Sequence, residues 1–169
     1  MTNKQHNKFD EATAWNNLEG VGMEFLDNAK VKLVVATVTS LPRQEVWDAF
    51  VDAGTWQSWF PKVECAFYLG DAPYDVGTIR RSIVDGVLYD ETMLVWKEPC
   101  RWGYRIDRAT FAMSEAHLEI TEFQAIEAGT RVIWTLAFDP LYDIDEKDFG
   151  GFLKDLLKEA IQGLEKIAK

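Results

Sequence analysis

An Asp85-Gly86 pair stands between two strand-like runs, residues 76–84 and 87–95, and constrains the fold more than any other local feature. Asp-Gly between such runs makes a two-residue hairpin turn, and that turn fixes the pairing register. Val84 then faces Val87, Ser82 faces Tyr89, Arg80 faces Glu91 and Thr78 faces Met93, all on one side of the sheet. The other side carries Arg81 opposite Asp90 and Ile83 opposite Leu88. Each face therefore holds one cross-strand ion pair. If one face is buried, one of these pairs sits inside the protein, and a charged pair in an otherwise apolar enclosure is where function is to be sought.

The rest of the chain supplies what such a hairpin needs. Residues 31–38 are β-branched and read as a strand. Ser40-Leu41-Pro42 marks a helix start, Val46, Trp47, Phe50 and Val51 give it an apolar stripe, and Gly54 ends it. Trp56, Trp59 and Phe60 suggest a second short helical turn before Pro61. Strands follow over 63–69, the hairpin, 101–106, 116–126 and 130–138, the last two joined around Glu127-Ala128-Gly129. In the final strand Val132, Trp134, Leu136 and Phe138 form the inward set. Phe149, Phe152, Leu153, Leu156, Leu157, Ala160, Ile161, Leu164 and Ile167 then recur at three- and four-residue spacing. This is a long amphipathic helix, and the sheet is the partner its stripe requires. The expected fold is α+β, a curved antiparallel sheet of about seven strands wrapped around a C-terminal helix, with two short helices after the first strand. Residues 1–30 read as a partly ordered extension, with a short helix over 10–18 and Met23, Phe25 and Leu26 docking on a body that spans 31–169.

A chain of 169 residues is long enough for one domain with a full core. Aromatic residues are 13% of it and include seven tryptophans, which suits a wide aromatic-lined interior, with core packing as the other account of them. The net charge of -10 excludes nucleic acid or an anionic membrane as the main partner and favours a neutral or apolar ligand. No apolar run is long enough for membrane insertion, and the N-terminus lacks an apolar signal core, so the expected compartment is cytoplasmic. Cys65 and Cys100, with His6 and His117, are too few for a metal cluster, and neither a metal nor a cofactor is expected.

The chain resembles the START-like (SRPBCC, helix-grip) superfamily, and within it the polyketide cyclase/dehydrase and lipid-transport family. The resemblance rests on Ser40-Leu41-Pro42 with Glu45-Val46-Trp47, on Trp56-Gln57-Ser58-Trp59-Phe60-Pro61-Lys62-Val63, and on Val76-Gly77-Thr78-Ile79-Arg80 with Glu91. Pro99 before Arg101-Trp102-Gly103-Tyr104, Gly129-Thr130-Arg131-Val132-Ile133-Trp134 and Gly163-Leu164 complete it. It implies a deep cavity between sheet and helix that takes a hydrophobic small molecule, a lipid or a polyketide-like compound. It also implies that some members cyclise and dehydrate poly-β-keto chains there without a cofactor.

The candidate site is Arg80 and Glu91, as ligand anchor or as catalytic pair. A guanidinium holds a carbonyl or enolate oxygen, and a carboxylate orients it or takes a proton. A self-satisfied structural pair is the competing account. Tyr89, Ser82 and Met93 share their face; Trp102, Tyr104, Trp134 and Phe138 are inward by alternation; Leu153, Leu157 and Ile161 face them from the helix. His117, flanked by Glu115 and Glu119, reads as a solvated histidine, and no serine has a histidine placed for a triad. Arg81 with Asp90 reads as the exposed counterpart. Three functions fit: a small-molecule carrier, a cofactor-independent cyclase/dehydratase using Arg80 and Glu91, and a protein-interaction module. Monomer and homodimer are both open.

Overall fold

The hairpin forms in the register its turn dictates. Asp85 and Gly86 both take positive φ, 51° and 79°, as a turn matched to the strands' right-handed twist requires. Arg80 pairs with Glu91, Arg81 with Asp90, Ser82 with Tyr89 and Val84 with Val87. The computed structural model describes residues 14–168. Its elements, in chain order, are β1 (Asn16–Asn17), α1 (Phe25–Asn28), β2 (Val31–Thr39), α2 (Arg43–Val51), α3 (Trp56–Trp59) and β3 (Val63–Leu69). Then come β4 (Ile79–Val84), β5 (Val87–Lys97), β6 (Arg101–Ala109), β7 (Ser114–Ile126), β8 (Gly129–Pro140) and α4 (Glu146–Ile167). The antiparallel sheet has eight strands, running β2-β8-β7-β6-β5-β4-β3, with β1 attached to β6. The strand beyond the expected seven is thus the two-residue β1 from the N-terminal extension.

Helix α4 is capped by Asp145, whose carboxylate accepts from the Asp148 amide at 3.0 Å, and Glu146 and Asp148 suit the positive end of the helix dipole. Its buried stripe is Leu153, Leu157, Ala160, Ile161 and Leu164. Between sheet and helix lies a single core with Trp47, Phe50, Trp59, Trp102 and Phe123 at its centre. Gly163 lets α4 close on α3, because a Cβ there would sit 2.5 Å from the Trp59 carbonyl oxygen. Backbone cannot yield as a side-chain tip can. Gly163→Ala is therefore expected to cost about 1–3 kcal/mol, the range for overpacking, as a lower midpoint in urea unfolding.

The extension is built into the sheet. Strands β6 and β7 pair from Arg101 opposite Glu122 only as far as Arg105 opposite Leu118. Beyond that the N-terminal segment bridges them: Asn16 and Asn17 pair with Ala109 and Arg108. The Leu18 amide donates to Asp107 at 2.9 Å and the Glu19 amide to Glu115 at 2.8 Å. Residues 16–17 are thus extended, against the expected helix over 10–18; residues 10–13 lie outside the described residues. A helix was expected because Trp15 and Leu18 are three apart, but the open backbone edges of β6 and β7 offer the segment hydrogen bonds that an isolated turn lacks. Phe25 docks as expected, in a second cluster with Val95, Ala116, Leu118, Ile120 and Ala137 on the outer face of the sheet.

The outer ion pair is not exposed. Asp90 is buried and accepts from Arg81 at 2.7 and 2.9 Å and from Arg108 at 2.8 Å. Both guanidinium groups lie against the Trp15 ring, at 5.3 and 4.3 Å. Burial alone would raise the Asp90 carboxyl, but the hydrogen bonds from its two arginines bring it below the ordinary carboxylate range. The segment whose indole covers this pair lies far away in sequence, so hairpin parity alone could not reveal it.

Candidate functional site

The concave face of the sheet and α4 enclose a cavity of about 210 Å³. Its walls are mainly aromatic and aliphatic: Trp56 and Phe60 from the α3 region, Trp102 and Tyr104 from β6, Trp134 from β8, and Leu156 and Leu157 from α4. Phe111 and Met113, at the turn joining β6 to β7, also line it and are 54% and 58% exposed, so the cavity opens to solvent there.

Two polar clusters are set in this wall. In the first, Arg80 Nε donates to Glu91 Oε2 at 2.6 Å, and the Ser82 hydroxyl donates to Glu91 Oε1 at 3.3 Å. The Arg80 and Glu91 side chains are only 2% and 5% exposed. The guanidinium carbon lies 4.5 Å from the Trp56 ring, 4.8 Å from Trp102 and 4.7 Å from Tyr104. This is a caged cation, held by one carboxylate and three ring faces. Burial pushes the Glu91 carboxyl above its ordinary range, against the pull of Arg80. Tyr89, nearby on the wall, is pushed up to about 12, first by burial and then by Glu119.

The second cluster centres on Glu119. It accepts from the Tyr104 hydroxyl at 2.7 Å and the Trp134 indole at 2.9 Å, and its other oxygen lies 2.9 Å from His117 Nε2. Burial would raise this carboxyl, but the hydrogen bonds it accepts from His117, Tyr104 and Trp134 hold it below the usual range. The same carboxylate, together with burial, pushes the Tyr104 phenol well up. His117 stacks on Phe138 with ring centres 5.5 Å apart, and its Nδ1 lies 3.4 Å from the Ser114 hydroxyl.

Of the residues the sequence nominates, Arg80, Glu91, Tyr89, Ser82, Trp102, Tyr104, Trp134 and Leu157 line the cavity. Four do not. Met93, Leu153 and Ile161 are close-packed in the core, with Met93 wholly buried, and Phe138 lies behind His117. The correction has one cause: sharing a face with the cavity is necessary for lining it, but close packing fills most of that face.

His117 and Glu119 correct the sequence reading further. Their side chains are only 16% and 12% exposed, and both line the cavity, as does Ser114. Glu115 and Glu119 make this stretch read as solvated, yet of the two only Glu115 alternates to the outer face. A signal was available. Trp134, Leu136 and Phe138 were inward by pattern, and directly opposed residues share a face; their partners are Thr121, Glu119 and His117. The extension's Leu18 was missed as a lining residue too, since no local pattern ties it to the sheet.

Residues 30–169 match the model of the family described as polyketide cyclase/dehydrase and lipid transport. The uncharacterized protein Rv2574 of Mycobacterium tuberculosis is 25% identical over 122 residues, covering 70% of this chain and 72% of that protein. Among solved structures, Ara h 8.0201 superposes with a TM-score of 0.62 at 14% identity, over 81% of this chain and 96% of that one. Protein MLL2253 of Mesorhizobium loti gives 0.60 at 17% identity, over 82% and 96%. These two likenesses concern the fold. Together with the sheet closed around α4 and the short helices after β2, the family match makes this chain a member of the polyketide cyclase/dehydrase and lipid-transport family, with the helix-grip fold of the START-like superfamily.

Proposed function

We propose that the chain binds a hydrophobic small molecule, a lipid or polyketide-like compound, in the cavity between the sheet and α4. The observation that carries this reading is the wall itself: an aromatic enclosure of about 210 Å³ with a few fixed polar groups, the composition of a small-molecule site. Native mass spectrometry of the purified protein, followed by organic extraction, is the first test. A neutral solvatochromic dye should also bind with a blue-shifted emission, and Val84→Trp, which fills the lining from β4, should abolish that binding while the protein stays folded. A dye that binds the tryptophan variant as well as the parent locates the site elsewhere and defeats the reading.

A second reading, a cofactor-independent cyclase/dehydratase, is favoured by one feature. The Glu91 carboxyl is raised by burial and so exchanges its proton closer to neutrality than a surface glutamate does. Arg80 would polarise a substrate carbonyl and Glu91 would move the proton. Glu91→Gln separates the readings. A carrier keeps its affinity, whereas an enzyme keeps its affinity and loses turnover of a poly-β-keto substrate.

A further inference from the structure

The polar groups of the cavity wall are not equally available. Arg80 is held by Glu91 through Nε alone and enclosed by three rings, with its buried Nη1 a donor still unpaired among the described residues. Glu91 also receives Ser82, and Tyr104 and Trp134 both spend their donors on Glu119. His117 differs. An ionised Glu119 can only accept, so the 2.9 Å contact to Nε2 places the imidazole proton on Nε2. A ring that carries this one proton presents a bare lone pair at Nδ1. The stacked Phe138 fixes the ring plane, and among the described residues Nδ1 is opposed only by the Ser114 hydroxyl at 3.4 Å, long for an O–H···N bond.

Taking the small-molecule reading above as its basis, we propose that His117 is the group by which the cavity recognises its ligand, through a hydrogen bond from a hydroxyl on a neutral, aromatic or similarly flat hydrophobic compound to Nδ1. Ser114 completes the subsite. Its hydroxyl turns to donate to the ligand oxygen while that oxygen's proton goes to His117. The pair thus reads a group that both donates and accepts, which is a hydroxyl rather than an ether or a ketone. The charge requirement follows from the wall. Glu91 and Glu119 both line the wall, so an anionic ligand would enter beside two carboxylates and compete with Glu91 for the one guanidinium of Arg80. The shape requirement follows from Trp56, Phe60, Trp102, Tyr104 and Trp134, whose ring faces and edges are matched by a flat aromatic body.

The test uses naphthalenes of similar size, titrated into the full chain by calorimetry. 2-Naphthol is expected to bind about tenfold more tightly than 2-methoxynaphthalene, the scale of one buried hydrogen bond, with 2-naphthoate weakest. His117→Phe should erase the naphthol advantage and leave the methoxy compound within about twofold of its parent value. Ser114→Ala should reduce naphthol affinity alone. Because His117→Phe removes a donor from Glu119, nitrogen-correlated NMR of the unaltered protein supplies an independent check, with Nε2 protonated and Nδ1 bare. Equal binding of naphthol and methoxynaphthalene, or a ring protonated at Nδ1, overturns the assignment of His117 and leaves the small-molecule reading standing. No binding by either neutral naphthalene removes both.

Discussion

Arg80→Met is expected to lower the unfolding free energy by about 3–5 kcal/mol at neutral pH, read by urea denaturation followed through tryptophan fluorescence. Arg80 and Glu91 are both almost fully buried, and methionine restores most of the volume but none of the charge. What is lost is the cation beside a carboxylate that cannot reach water. Two further results identify this cause. Adding Glu91→Leu to Arg80→Met should recover most of the loss, because an apolar pair leaves no orphaned charge. The deficit of the single variant should also shrink on acidification. Without Arg80, burial and Glu119 raise the Glu91 carboxyl, and only the weaker hydrogen bond from Ser82 is left to lower it. A carboxyl raised in the folded state contributes stability below its unfolded value and loses it as pH rises through the folded value. The variant therefore approaches the parent as pH falls towards the ordinary glutamate range. A loss under about 1 kcal/mol would match an exposed pair and contradict the cage.

Removing Glu119 is the second large effect. Glu119→Ala should cost about 3 kcal/mol or more, since Tyr104, Trp134 and His117 lose a common acceptor and a buried donor left unpaired costs about 1–3 kcal/mol. Glu119→Gln keeps the shape and should cost less. Its deficit also fades in acid, as that of Arg80→Met does, but for a different reason. The Glu119 carboxyl is lowered in the folded protein, so its stabilisation is present above the ordinary glutamate value and disappears as pH falls through the folded one. Parent and Glu119→Gln should accordingly differ most at neutral pH and converge in acid. A gap that widens in acid would mean that Glu119 is not the ionised hub of this cluster.

The fold was legible where local chemistry and periodicity agreed. Asp85-Gly86 determined a register that the structure repeats pair for pair from Arg80 to Glu91, and the stripe from Leu153 to Leu164 determined which side of α4 is buried. The aromatic parity of Trp102, Tyr104 and Trp134 brought three lining residues correctly inward. What escaped was non-local. Trp15 covers Asp90 from a segment 75 positions away in the chain, so a pair that parity left in solvent is buried. Ala116, Leu118 and Ile120 are apolar because Phe25 covers them from outside, which obscured that His117 and Glu119 are the residues facing in. A strand covered on both faces loses the alternation that marks its inward side.

The family match begins at residue 30, yet Leu18 contributes to the cavity wall and Phe25 is buried against the sheet. The part matched by the family and the packed unit therefore have different edges. A fragment trimmed to the shared part would keep every strand of the main path but bare the backs of Ala116, Leu118 and Ile120, and lose the segment that bridges β6 and β7 at the end where the cavity opens. Chains with the same domain and different leading segments would then possess differently shaped interiors. Ligand preference in such chains can diverge through residues that no comparison of the shared domain would align.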